Sequence, residues 1–153
     1  MQAFETILCP IDFSEHSKEA LTFALSSQLA NTANVKLVYV LPQINYYDLT
    51  FTGSIVLSPG VEEVLAKEKE SAEEGCKALK ASLEAEHPNK TFAYEILEYG
   101  EPGPSIVKAA EAHHAHLIVL GSHGRKGFDR LLMGSVAEYV LRHAKCPVLV
   151  FKK

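Results

Sequence analysis

Apolar residues fall in short continuous runs separated by longer stretches of helical period. The run "ETILCPI" is bounded by Asp12 and Ser14 and has the length and β-rich composition of a buried strand. Ser14 then fits a helix N-cap, with Leu21, Ala24, Leu25 and Leu29 forming one apolar stripe behind it and Asn31 and Asn34 bracketing the exit. "VKLVYVL" reads as a strand covered on both faces and is expected to stop at Pro42. From Gln43 to Gly60 no period is visible, and Tyr46, Tyr47, Phe51 and Pro59 suggest a long irregular connection of the kind that often carries function. A helix is predicted from about Val61 to Glu86, with Val61, Val64, Leu65, Ala72, Cys76, Leu79 and Leu83 inward, and Gly75 weakens it by about 1 kcal/mol relative to alanine.

"TFAYEILEYG" alternates more than the other strands, as an edge strand does. After "GEPGPS", Ser105 or the proline before it opens a third helix that runs through about His114. "HLIVLG" is a strand, a helix follows from Ser135 to about Ala144, and "CPVLVFKK" closes the chain as a last strand. Strands alternating with helices imply a parallel sheet with helices on both faces and right-handed crossovers. With 153 residues and no internal repeat or linker, one domain spanning 1–153 is expected.

Composition narrows the function classes. A net charge of −4 argues against general nucleic-acid or membrane-surface binding. Cys9, Cys76 and Cys146 form no CxxC pair, as expected for reduced, buried thiols in a cytosol-like compartment. The start "MQAFETILCPIDFS" lacks a basic n-region, and no apolar run approaches the ~18 residues of a membrane helix, so the chain is expected to be cytoplasmic.

Against that acidic background, "GSHGRKGFDRLLMGS" (Gly121 to Ser135) packs four glycines and three basic side chains into fifteen residues. Arg125, Lys126 and Arg130, set against Asp129, leave the window two charges positive. In open α/β sheets ligands sit beyond the carboxyl ends of the strands where strand order reverses, and Asp12, Val40 and Gly121 all lie at such ends. Gly121 and Gly124 let backbone approach a ligand closely. Gly134 and Ser135 open a helix whose free amides and dipole favour phosphate. The other reading of the stretch is an ordinary surface loop, since glycines are common turn residues and Gly-Ser is a common helix start.

The spacing G-x2-G-x9-G-[ST], here Gly121, Gly124, Gly134 and Ser135, resembles the nucleotide signature of the universal stress protein family. "ILCPIDFSEHSKEAL" resembles that family's opening strand, acidic residue and first helix, and the segment from His116 onward is similar to its closing third. The resemblance implies an open Rossmann-like sheet of the adenine nucleotide alpha hydrolase-like kind, with five parallel strands in the order 3-2-1-4-5. It implies binding of ATP or a related adenine nucleotide. By position, Pro10, Ile11 and Asp12 would meet the adenosine portion and the Val40 backbone the adenine edge. Gly121, Ser122, His123, Gly124 and Arg125 would line the ribose and phosphate path, and Gly134, Ser135 and Val136 would hold phosphates. Magnesium could bridge those phosphates, although no carboxylate pair announces a metal site. The family also pairs final strands, which implies a homodimer along Val148 to Phe151.

Three functional readings remain open at this point: a binding protein acting as a sensor or switch, a slow ATPase or self-phosphorylating enzyme using Ser122 or Ser135, and a dimer that has lost its ligand. His113 and His116 could share a helix face as metal ligands do, but no second cluster matches them. P-loop, G-x-G-x-x-G and G-x-S-x-G patterns are absent.

Overall fold

The computed structural model describes residues 4–30, 33–42, 59–123 and 133–152. Ten elements follow one another as β1 (Thr6–Pro10), α1 (Glu15–Ser26), a 3-10 turn (Gln28–Ala30), β2 (Asn34–Pro42), α2 (Pro59–Glu86), β3 (Thr91–Gly100), α3 (Pro102–Ala112), β4 (Leu117–Gly121), α4 (Ser135–His143) and β5 (Val148–Phe151). The five strands form one sheet in the order β3-β2-β1-β4-β5, and every neighbouring pair is parallel.

Side-chain alternation along the strands sorts the core into two layers. Ile7 and Cys9 of β1, Ile11 just beyond it, Leu37 and Tyr39 of β2, and Leu117 and Val119 of β4 pack with Ala20, Leu21 and Ala24 of α1 and Ala72, Cys76 and Leu83 of α2. Leu8, Val38, Ile118 and Leu120 face the other way, against Ile106, Val107 and Ala110 of α3 and Ala137 and Val140 of α4. The central strands β1 and β4 are thus buried on both faces, and their sequences are uninterrupted runs for that reason.

Several element limits differ from the sequence reading. Helix α1 ends at Ser26 and Leu29 falls in the 3-10 turn. Strand β2 ends at Pro42 as expected, with the proline included: Pro42 pairs with Gly100 across a register shift that starts at Val40, and such an irregularity at a strand end accommodates a proline. Helix α2 begins at Pro59, with proline in the first turn, where its missing N–H costs nothing. Residues 43–58 of the irregular connection lie outside the described residues. Helix α3 opens at Pro102, ahead of Ser105 and Pro104. Val64, expected inward, is 58% exposed. Twenty-eight helical residues extend about 42 Å, whereas the ten of β3 span about 33 Å, so α2 outruns the sheet it covers.

Candidate functional site

The sheet order reverses between β1 and β4, and the carboxyl ends of these two strands define a crevice. On its β1 side the chain passes through Asp12 into a tight serine-rich turn. Ser14 Oγ accepts from the Ser17 amide at 3.3 Å and caps α1. Asp12 Oδ1 accepts from the Ser14 amide at 3.0 Å, an Asx turn that fixes the carboxylate at the strand exit. Ser17, only 6% exposed, donates from its hydroxyl to Ser14 O at 3.0 Å. Between them Phe13 adopts φ 63°, the left-handed region, which costs a side chain about 1 kcal/mol or more. Its ring is held by Tyr39, 5.3 Å between centroids, and by the backbone of Gly75 on α2, where an added Cβ would lie 2.7 Å from Phe13 Cζ.

Beside β1, strand β2 continues further. The last β1 pair is Pro10 with Val38, the Ile11 amide donates to Val38 O at 2.8 Å, and Val40 stands two residues beyond, half-buried, paired on its far side with Leu97. Ile11 is buried in the core and Pro10 is half-buried at the end of β1, so both support the rim.

On the β4 side the Ser122 amide donates to Phe151 O and the Gly134 amide to Ser122 O, both at 2.8 Å. The second bond returns the chain to the strand end, so that α4 starts directly beside the exit of β4. Gly134 is the N-cap of α4 and supplies no side-chain cap, so among the described residues no cap hydrogen bond reaches the amides of the first turn, which include Ser135 and Val136. This contrasts with α1, which caps itself through Ser14. Ser135 is exposed and Val136 half-buried.

The two described signature glycines have packing reasons of their own. A Cβ on Gly121 would lie 2.8 Å from His16 O and 3.1 Å from His16 Cβ, so its absence lets α1 close onto β4. A Cβ on Gly134 would lie 3.0 Å from Ser122 O. From the sequence Gly121 reads as allowing ligand approach and Gly134 as opening the last helix, with turn residues as the other reading; neither packing contact is visible there. Gly124 and Arg125, with Lys126, Asp129 and Arg130, lie outside the described residues.

His16 was missed in the sequence. It sits in the first turn of α1, and its ring centroid lies 5.7 Å from that of His123. Ser122 is 4% exposed, and its Oγ is 3.0 Å from His123 Nδ1. The two neighbours are therefore oriented toward one another, which adjacency in sequence could not establish. Of the histidines weighed as metal ligands, His113 instead makes a close contact through Nε2 with the Glu95 carboxylate, which Lys36 also approaches at 3.9 Å. Among the described residues no group of three or more His, Cys, Asp or Glu could hold a metal ion.

These features define an open, doubly wound α/β protein with a polar crevice at its strand reversal. The sequence profile of the universal stress protein family matches residues 3–152, and the chain belongs to that family. A universal stress protein of Methanocaldococcus jannaschii is 38% identical over 150 residues, covering 98% of this chain and 83% of the relative. The solved universal stress protein UspA of Lactobacillus plantarum superposes with a TM-score of 0.74 at 27% identity, covering 99% of this chain and 100% of that one. A universal stress protein of Archaeoglobus fulgidus solved in complex with dAMP has a TM-score of 0.64 at 22% identity over 99% of this chain and 100% of its own, a likeness of fold.

Proposed function

We propose that the protein binds ATP or a related adenine nucleotide in the β1/β4 crevice and acts as a dimeric, cytoplasmic sensor or switch in stress response. The observation that carries this reading is the uncapped first turn of α4, brought beside the exit of β4 by the Gly134-to-Ser122 bond. Free amides at the positive end of a helix dipole are the standard donors for a phosphate.

In this reading Asp12, supported by Pro10 and Ile11, contacts the adenosine portion. The Val40 backbone, standing beyond the last β1 pair, meets the adenine edge. Gly121, Ser122, His123, Gly124 and Arg125 follow the ribose and phosphates, and Gly134, Ser135 and Val136 hold the phosphate end. Magnesium would supply charge neutralisation to the phosphates, held by the nucleotide itself, since no group of three or more His, Cys, Asp or Glu among the described residues could hold it. The dAMP complex of the Archaeoglobus protein accords with the ligand class, but its identity to this chain carries the fold only, and the weight rests on the crevice.

The purified protein, denatured and extracted, is expected to release an adenine nucleotide detectable by mass spectrometry, or failing copurification to bind one in calorimetry. A protein that does neither is not a nucleotide sensor of this type. The Ser122–His123 contact favours the second reading, slow hydrolysis or self-phosphorylation. Phosphate release above background, lost in Ser122→Ala or Ser135→Ala, would carry that reading over simple binding.

A further inference from the structure

We propose that His16 and His123 form a paired-imidazole anion subsite at the mouth of the crevice, and that a polyphosphate engaging it takes up a proton. The inference rests on the anionic ligand class read above. His123 Nδ1 is engaged by the buried Ser122 hydroxyl at 3.0 Å, and that hydroxyl can donate to the ring or accept from it. The ring's other nitrogen, Nε2, is shielded from solvent and has no hydrogen-bond partner among the described residues. Leaving a shielded polar group without a partner is unfavourable, and an unpartnered group in a native site calls for a missing partner.

The tautomer logic favours an acceptor there. With the serine donating to Nδ1, Nε2 carries the hydrogen. With the ring protonated, Nδ1–H donates to Ser122 Oγ and Nε2–H is again a donor, whereas a neutral ring that donates from Nδ1 leaves Nε2 bare until it takes up a proton. The first two forms suit a phosphate oxygen, and the third does so only after protonation. The second ring, His16, lies 5.7 Å away and tilted by 48°, held there because Gly121 admits the α1 backbone against β4. Two adjacent charged rings repel, and an anion bridging them removes that repulsion, so ligand and proton favour one another.

The charged groups on the elements that carry the pair are these. Strands β1 and β4 carry none. Asp12 lies in the turn. On α1, Glu15 and Lys18 are exposed and Glu19 is half-buried one turn beyond His16. Lys152 follows β5, and Glu138 on α4 pairs with Arg142 at 2.8 Å. Arg125 and Lys126 follow His123 in sequence. None of the ion pairs among the described residues engages either ring.

The test is calorimetric titration of ATP at pH 6 and pH 8, with wild type and the His16→Gln/His123→Gln double variant compared. Protonation of ATP itself is common to both proteins, so the readout is the difference between them. Wild type is expected to lose about tenfold more affinity than the double variant over that interval, about the effect of one linked proton. Imidazole resonances of both residues in the wild type should shift on adding ATP, a measurement that stands even if the variant fails to fold. Equal pH slopes, or imidazole signals unmoved by bound ATP, overturn the inference and leave nucleotide binding intact. Tripolyphosphate bound with the pH slope, but no ATP, supports the subsite and overturns the nucleotide reading. If neither ligand binds, both fall.

Discussion

At Gly121 a single missing carbon sets the distance between two elements. Its would-be Cβ meets backbone atoms of His16 at 2.8 and 2.9 Å, which cannot rotate away as a side chain can. Gly121→Ala is therefore expected to push α1 off β4 and destabilise the protein by about 1–3 kcal/mol, read as a lower denaturant midpoint at unchanged m-value. Asp12→Asn separates two roles of one carboxylate. Asparagine keeps a carbonyl oxygen that can accept the Ser14 amide, so nucleotide affinity should fall further than thermal stability if the second oxygen serves the ligand. The thiols follow from burial alone. Desolvation pushes Cys9 up to about 12 and Cys76 up to about 11, from 9.0. A folded-state value raised above the unfolded one holds its full stability below the unfolded value and loses it as pH rises through the window. Stability should thus decline between about pH 9 and pH 12, less steeply in Cys9→Ala, and thiol reagents should label Cys9 and Cys76 only after denaturation.

At the scale of elements, α1 depends on a cap that the sequence announces and α4 on amides that it leaves open. Ser14→Ala removes the acceptor for the Ser17 amide and should cost about 1 kcal/mol, visible as a lower midpoint of thermal unfolding. The five strands and four long helices were legible because each buried strand is an apolar run and each helix a stripe of period 3.6, patterns set by the same two-layer core. Limits set by local exceptions were less legible. Pro42 sits at a register shift, and α3 begins at Pro102 rather than at Ser105, because a proline fits the first helical turn as well as it fits a loop. Gly75 reads in the sequence as a weak point of α2, yet it is where the Phe13 ring packs, a contact that joins residues far apart in the chain. For the same reason the glycines and Asp12 of the crevice could be found from spacing, while His16 could not: its significance lies in what β4 brings beside it.

For the whole molecule, the two edges of the sheet are unlike. Strand β3 is long, alternates and carries Glu95 and Glu98, which engage Lys36, His113 and Lys69, and charged side chains along an edge discourage further pairing. Strand β5 is four residues, Val-Leu-Val-Phe, half-buried at every position and, among the described residues, paired with β4 alone. Leu149 and Phe151 pack on the α1 layer and Val148 and Val150 on the α4 layer, so neither face is fully covered. Phe23 of α1, 39% exposed, stands with its ring 5.4 Å from that of Phe151, and Leu141 of α4 is 43% exposed. An apolar edge with apolar residues on the flanking helices suits a second copy of itself, since a twofold axis along β5 would satisfy the open amides and cover both flanks at once. Light scattering is expected to give the dimer mass at micromolar concentration. Phe23→Lys and Leu141→Lys alter exposed positions, so each variant should keep the wild-type circular dichroism while shifting toward the monomer mass, and the pair together should shift further. A wild-type monomer, or a dimer indifferent to both lysines, would place the contact elsewhere and leave the β5 edge to be explained by the sheet alone.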